Sequence, residues 1–229
     1  MENAGFRINK KVLDLYADNI ADMSYEEYSP SSTSTQTLTR ELPMSYYNSM
    51  ITNTYRAYND AAVITFSRTG AEGLDEIAHE DSHVLQLTEE EKALVRHAKS
   101  NFKKGIVLIN TGNVMELGEL DAPKTADNLG VDAILYIGHV GNDGAAAIGE
   151  ILNGTVNPSG HTVDLWSMAI SNDPSYTNFG DMTQNGEAYD NYFYLDEDKT
   201  TYHSVEYRED IYVGYRYYET VAADMNKNK

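Results

Sequence analysis

The stretch Gly105-Ile106-Val107-Leu108-Ile109-Asn110 decides the fold class. It is a short, continuous apolar run, which is typical of a parallel strand buried on both faces. Two similar runs flank it along the chain, Ala61 to Phe66 before it and Ala133 to Ile137 after it. Helices are predicted from Thr88 to about Asn101 and from about Ala145 to Leu152. The first of them begins with the Thr88-to-Glu91 pattern of a capping box. This alternation predicts a three-layer α/β/α sandwich with a mostly parallel sheet.

The whole chain divides into a core and an arm. Apolar spacing predicts an amphipathic helix over Ile8 to Tyr16 and a second helical stretch from about Ser45 to Tyr58. Between them, residues 22–43 are acidic, tyrosine-rich and then rich in serine and threonine, which predicts an irregular connection. We therefore expect a sandwich core over residues 1–166. Residues 167–229 are predicted to form an extended aromatic and acidic arm that completes the domain.

The composition limits the classes of partner. The 229 residues include 36 acidic and 17 basic side chains, for a formal net charge of -19. This excess repels polyphosphate and anionic lipid, so neither nucleic acid nor a membrane surface is expected as a partner. No segment reaches the roughly 20 apolar residues that cross a bilayer. The start of the chain does not resemble a signal peptide, so a soluble chain is expected, with cytoplasmic and secreted locations both open.

Four segments follow one another in an order that is typical of one enzyme family. They are Ile64 to Asp75, which contains Gly70-Ala71-Glu72-Gly73-Leu74-Asp75; Leu85 to Glu91; Gly138 to Gly154, continued by Asn157-Pro158-Ser159-Gly160; and Glu209 to Glu219, with Ile211-Tyr212-Val213-Gly214-Tyr215 at its centre. Together they resemble the carboxyl-terminal domain of glycoside hydrolase family 3, which includes β-glucosidases and β-xylosidases. The resemblance implies the α/β sandwich of that family, whose first strand would precede Met1.

The resemblance also implies a catalytic role for one glutamate. Retaining glycosidases use two carboxyl groups about 5 Å apart, one as nucleophile and one as acid and base. In this family the nucleophilic aspartate belongs to a barrel domain, in cis or in trans, that this chain lacks. The sandwich supplies the acid/base glutamate, which by position in the motif is Glu72. We expect the chain to be inactive alone on its β-linked glycoside substrate, because an acid catalyst keeps its proton only when a partner domain covers it.

Other polar residues of the same region are candidates for substrate contact. They are Arg68, Asp75, His79 and His83. The family has an arginine directly after the motif aspartate, whereas this chain has Glu76, so Asp75 lacks its usual neighbour. Two histidines four residues apart, without cysteine or a third well-spaced ligand, do not predict a metal site. Neither a metal nor another cofactor is expected.

Two other interpretations stay open. The missing arginine is compatible with a sandwich that has lost catalysis and binds only carbohydrate or a partner protein. The glycine-rich turn from Gly138 to Gly144 follows a strand and precedes a helix, as in flavodoxin-like nucleotide binders. Its G-x-x-G-x-x-G spacing and Asp143 instead favour tight packing of helix against strand.

Overall fold

The chain folds into two compact units, Met1–Gly160 and His161–Lys229. This division falls between residues 160 and 161, whereas the sequence placed the boundary of core and arm at 166/167. The structure, a computed structural model, describes residues 1–29, 34–68, 85–125, 128–141, 143–178, 192–194, 203–205 and 207–227. Each unit is described by itself.

The first unit contains both α-helices and β-strands, with short 3-10 turns between some of them. Their order is α1 (Lys10–Asp18), β1 (Ser24–Ser29), β2 (Ser34–Thr39), α2 (Ser49–Thr52), β3 (Ala62–Ser67), α3 (Glu89–Asn101), β4 (Gly105–Asn110), β5 (Ala133–Tyr136) and α4 (Ala145–Leu152). The second unit contains α5 (Pro174–Asn178), β6 (Tyr192–Tyr194), β7 (His203–Val205) and α6 (Tyr215–Lys227). None of the described helices combines the length and the apolar character that a membrane crossing requires.

A three-stranded parallel sheet forms the centre of the first unit. The strand order is β3-β4-β5, with Ile64 opposite Val107 and Leu108 opposite Leu135. The central strand β4 is the most buried, since Val107 and Ile109 are fully inaccessible to solvent. Each such side chain contributes about 1.5–3 kcal/mol by leaving water. The predicted α/β sandwich with a parallel sheet is therefore confirmed.

Helix α3 begins with the capping box that the sequence predicts. The Thr88 hydroxyl accepts a hydrogen bond from the Glu91 N–H at 3.1 Å, and Glu91 Oε2 accepts one from the Thr88 N–H at 2.9 Å. Leu94, Val95 and Ala98 form the buried stripe of the helix. Since these positions follow the helical period, one face of α3 packs inward while the other remains in water.

Two parts of the sequence prediction before β3 need correction. Residues 22–43 contain an antiparallel hairpin, β1 with β2, in place of an irregular connection. Threonine at every second position of β2 is a strand pattern that the polar composition concealed. The helical stretch predicted over 45–58 shrinks to the four residues of α2 and two 3-10 turns. The Thr54 hydroxyl donates to Ile51 O at 2.6 Å, and such side-chain bonds compete with helix continuation.

The predicted arm over 167–229 is also less extended than expected. Helix α6 takes up 13 of its residues, and β6 pairs with β7 as an antiparallel ribbon. Within this unit the Ser167 hydroxyl lies 2.7 Å from the Tyr218 hydroxyl, and the rings of Tyr217 and Tyr218 meet edge to face. Helical spacing within Tyr215 to Lys227 accounts for α6, which the composition of the arm did not indicate.

A carboxylate joins β4 and β5 at their amino ends. Asp132 accepts hydrogen bonds from the Gly105 N–H at 2.8 Å and from Lys104 Nζ at 3.0 Å, and it also contacts the Lys124 ammonium. Lys124, the Gly105 N–H and Lys104 together hold the pKa of Asp132 below its usual range. The amino edge of the sheet is thus fixed by charge.

A second carboxylate is buried where α1 meets the segment before α2. Glu41 Oε1 accepts hydrogen bonds from the hydroxyls of Tyr16 and Tyr47, both at 2.9 Å, and from the Leu42 N–H at 2.8 Å. Burial is the main cause that raises the pKa of Glu41, and the three donors partly offset it. The nearby Glu91 carboxylate raises this pKa further. Burial also raises the pKa of both tyrosines.

We predict that Glu41 makes stability depend on pH. A carboxyl group whose pKa is raised by folding binds its proton more tightly in the folded state. The free energy of unfolding therefore falls as the pH rises from the ordinary carboxyl pKa of 4.5 to the raised value. Each unit of difference corresponds to about 1.4 kcal/mol. Urea unfolding across this pH range should show the fall in wild type and a flatter profile in Glu41→Gln.

The exposed Glu150 supplies the matched control for this prediction. Glu150→Gln makes the same chemical change at the surface, so its stability should follow the wild-type profile. Parallel profiles for wild type and Glu41→Gln would show that Glu41 is not the source of the pH dependence.

Candidate active site

The carboxyl ends of the parallel strands form one edge of the sheet. Strands β3 and β4 end together, because Ser67 pairs in register with Asn110, and Asn110 Nδ2 donates to Ser67 Oγ at 3.2 Å. The Arg68 N–H continues the ladder to Asn110 O at 3.1 Å. In open α/β sheets this edge is where ligands bind. Residues 69–84 follow directly from it.

Most of the predicted site residues lie outside the described residues. They are Glu72, Asp75, His79 and His83. Their catalytic and substrate-binding roles therefore stay predictions. The structure does describe Arg68, at the end of β3, and it describes the residues that follow position 84.

Arg68 makes a bidentate ion pair in the interior. Its Nη1 and Nη2 donate to the two carboxylate oxygens of Glu91, both at 2.8 Å, and the two side chains are only 8% and 6% exposed. Nη2 also donates to Gln86 O at 2.8 Å, and Nη1 donates to Ser67 O at 3.0 Å. We call Arg68, Glu91 and these two carbonyl groups the loop clamp. The clamp holds residue 86 beside the end of β3.

The chain after residue 84 is anchored by packing as well. Leu85 and Leu87 are buried, and Leu85 O accepts a hydrogen bond from the Glu116 N–H at 2.8 Å. Residues 68 and 85–87 are therefore both fixed to the sandwich. The segment 69–84 departs from one anchored point and returns to another.

The geometry changes the interpretation of Arg68. The sequence assigned it to substrate contact, but its guanidinium is buried against Glu91 and backbone carbonyl groups. This arrangement favours a structural role for Arg68 over direct contact with a sugar. Sequence reasoning missed the role of Glu91, which it treated only as a member of the capping box. The capping box was the available signal, but the partner lies 23 positions away in the chain.

A histidine that the sequence did not single out lies at the same edge. After β5 the Ile137 N–H donates to Ile109 O at 2.9 Å, and the chain then turns at Gly138. His139 follows, and its exposed imidazole occupies the space beside Gly112. A Cβ atom built on Gly112 would lie 2.9 Å from His139 Nε2. The carboxyl edge thus presents an imidazole close to the end of β4.

The glycine-rich turn is explained by close packing of its backbone. A Cβ atom on Gly144 would lie 2.3 Å from the carbonyl oxygen of Val140, so only glycine fits this position. Helix α4 has no side-chain cap at Gly144. These features support the packing interpretation over phosphate binding. Among the described residues, no group of three or more metal-ligating side chains is close enough to hold an ion.

The fold is a parallel α/β sandwich in which Arg68 and residues 85–87 lie at the carboxyl edge, between β3 and α3. The glycosyl hydrolase family 3 C-terminal domain matches residues 11–215 of the chain. The chain belongs to this family, and the resemblance in the sequence is confirmed.

Similar proteins include curated β-glucosidases and solved structures. The chain is 29% identical over 221 residues to a beta-glucosidase from Ruminococcus albus, covering 96% of this chain and 20% of that protein. It is 31% identical over 191 residues to beta-glucosidase A from Butyrivibrio fibrisolvens, covering 75% of this chain and 20% of that protein. The chain thus spans about a fifth of the length of these relatives.

The structural similarity extends over nearly the whole chain. Beta-glucosidase 3B from Thermotoga neapolitana, solved in complex with glucose, superimposes with a TM-score of 0.67 at 29% identity. The match covers 96% of this chain and 28% of that one.

We predict that two glycines of this edge respond differently to an added methyl group. In Gly112→Ala the new Cβ meets only the tip of the His139 side chain, which can rotate away, so the loss of stability should stay below about 1 kcal/mol. In Gly144→Ala it meets the backbone of Val140, so the loss should be about 1–3 kcal/mol. Urea unfolding measures both losses. NMR should show displaced imidazole signals for His139 in Gly112→Ala alone, and equal losses with unmoved signals would contradict the geometry.

Proposed function

We propose that this chain is the sandwich domain of a retaining β-glycosidase and that Glu72 is its acid/base residue. One observation carries the proposal. The family match over residues 11–215 includes the motif Gly70 to Asp75, in a segment whose two ends are anchored at the carboxyl edge of the sheet. The segment that carries the motif thus starts and ends at the edge at which α/β sheets bind ligands.

The proposed substrate is a β-linked glucoside. The named relatives are β-glucosidases, and one solved relative contains glucose. The sugar that fits is chosen mostly in the pocket of the barrel domain, so a β-xyloside is the second substrate to test. The surface charge agrees with an uncharged substrate, since 36 acidic side chains repel anions.

In the proposed mechanism Glu72 transfers a proton in both steps. A carboxylate on the barrel domain attacks the anomeric carbon while Glu72 protonates the departing glycosidic oxygen. This step breaks the glycosidic bond and leaves a glycosyl ester on the barrel. Glu72, now ionised, removes a proton from water as the water oxygen attacks the same carbon. The ester breaks, the sugar leaves with its configuration retained, and Glu72 is protonated again.

In this proposal the nucleophile belongs to the barrel domain and not to the 229 residues of this chain. A retaining glycosidase uses one carboxyl group as nucleophile and another as acid, about 5 Å apart and on opposite sides of the bond. One carboxyl group therefore cannot both form the glycosyl ester and protonate the leaving group. The barrel domain also covers the site and excludes bulk water. An acid catalyst needs this cover in order to hold its proton. Activity therefore requires the barrel, in cis or in trans.

We predict that hydrolysis depends on both partners and on Glu72. Purified chain should release no phenol from an aryl β-glucoside, and addition or fusion of the barrel domain of a family relative should produce activity. Glu72→Ala should lower that activity by about 10²–10⁴-fold, which is the usual contribution of proton transfer. Glu76→Ala removes an equal charge from the same segment and should retain activity. If the isolated chain released phenol and lost this activity in Glu72→Ala, the requirement for the barrel domain would be contradicted.

The leaving group separates proton transfer from other roles of Glu72. Dinitrophenolate departs without being protonated, so Glu72→Ala should regain cleavage of a dinitrophenyl β-glucoside in the first step. Azide needs no base and should then complete turnover to the β-glucosyl azide. Failure of both rescues would assign Glu72 a role other than acid and base.

A non-catalytic role in binding carbohydrate is the second candidate. Glu76 stands where the family has an arginine, which removes the usual neighbour of Asp75. Titration of the isolated chain with glucose, xylose and cellobiose distinguishes the two functions. Millimolar or tighter binding, unchanged by Glu72→Ala, would favour the binding domain.

A further inference from the structure

We infer that Arg68 and Glu91 are positioning residues of the glycosidase site, because they set the points at which the segment with Glu72 leaves and rejoins the sandwich. The inference rests on the acid/base role proposed for Glu72. Neither side chain touches the substrate in this assignment. They act by fixing where the catalytic segment starts and ends.

The first support is that one guanidinium spans both ends of the segment. Arg68 follows β3, yet it donates to the carbonyl of Gln86 at 2.8 Å and to that of Ser67 at 3.0 Å. It also donates to both carboxylate oxygens of Glu91, in two parallel hydrogen bonds of 2.8 Å each. A planar fork of donors makes such a set of bonds, whereas a lysine ammonium does not.

The second support is that Glu91 connects the clamp to a rigid element. Its Oε2 also accepts the Thr88 N–H at 2.9 Å, which closes the capping box of α3. Helix α3 has 13 residues and is held against the sheet by Leu94, Val95 and Ala98. The start of the segment is thus tied to β3, its end to α3, and one carboxylate connects the two.

The third support is the burial of the pair. Side chains that are 8% and 6% exposed have lost their hydration, and a buried ion pair is often no more stabilising than apolar residues of the same volume. What the pair does supply is directed hydrogen bonds. Proton transfer needs such direction, because a displacement of about 1 Å at the reacting group costs about 100-fold in rate.

Amide hydrogen exchange tests the clamp in the chain itself, without any catalysis. The Glu116 N–H donates to Leu85 O and reports whether the end of the segment stays docked. In Arg68→Lys, and in Arg68→Met if it folds, exchange at Glu116 should rise about tenfold or more above the rate set by global unfolding. Leu94→Ala, which weakens the packing of α3 but removes no hydrogen bond of the clamp, should change exchange only as global stability changes. Equal behaviour of Arg68→Lys and Leu94→Ala would overturn the inference.

Kinetics of the chain combined with the barrel domain provide the second readout. Arg68→Lys and Glu91→Gln should lower kcat by about 10–100-fold and leave KM nearly unchanged, because the acid is displaced while the barrel pocket is intact. The dinitrophenyl substrate should reduce this loss, since its cleavage needs no acid. If Glu72→Ala has no effect, the proposed function fails, and hydrogen exchange still tests whether the clamp holds the end of the segment. If Glu72→Ala is inactive but Arg68→Lys matches Leu94→Ala in kcat, the positioning role is wrong.

Discussion

The buried ion pair of Arg68 and Glu91 is the interaction on which the site depends. It lies where β3 ends and α3 begins, and its two hydrogen bonds of 2.8 Å join these elements directly. The two charges are tolerated in this buried position because further hydrogen bonds complete the pair, including those to the carbonyl of Gln86 and from the N–H of Thr88. The carboxyl edge therefore combines a hydrophobic sheet with a polar junction that holds a long connection.

The parallel sheet was predictable from sequence because local and tertiary signals agree there. The run from Gly105 to Asn110 is apolar at every position that the fold buries, and the capping box at Thr88 announces α3 within four residues. The hairpin of β1 and β2 was not predicted, since β2 alternates threonine with serine, glutamine and leucine and shows no regular apolar period. The length of α2 was overestimated, because the apolar spacing of a sequence does not show side-chain hydrogen bonds such as the one from Thr54 to Ile51 O.

The site was predictable only in part, for a different reason. Motif resemblance singles out Glu72 and its neighbours, and that resemblance is independent of packing. The clamp depends on a contact between Arg68 and Glu91, which are 23 positions apart, and no spacing rule indicates such a pair. The approach of His139 to Gly112 is likewise a product of parallel strand register, which places residues after β4 beside residues after β5.

The loop clamp also has a consequence for how this domain can diverge. Because residues 68 and 86–91 carry the anchoring bonds, the stretch between them can change its sequence without moving its points of attachment. Glu76, in place of the arginine of the family, is one such change. The stretch can thus be exchanged as a unit, and a graft taken from Ser67 through Glu91 would carry its own attachment points with it.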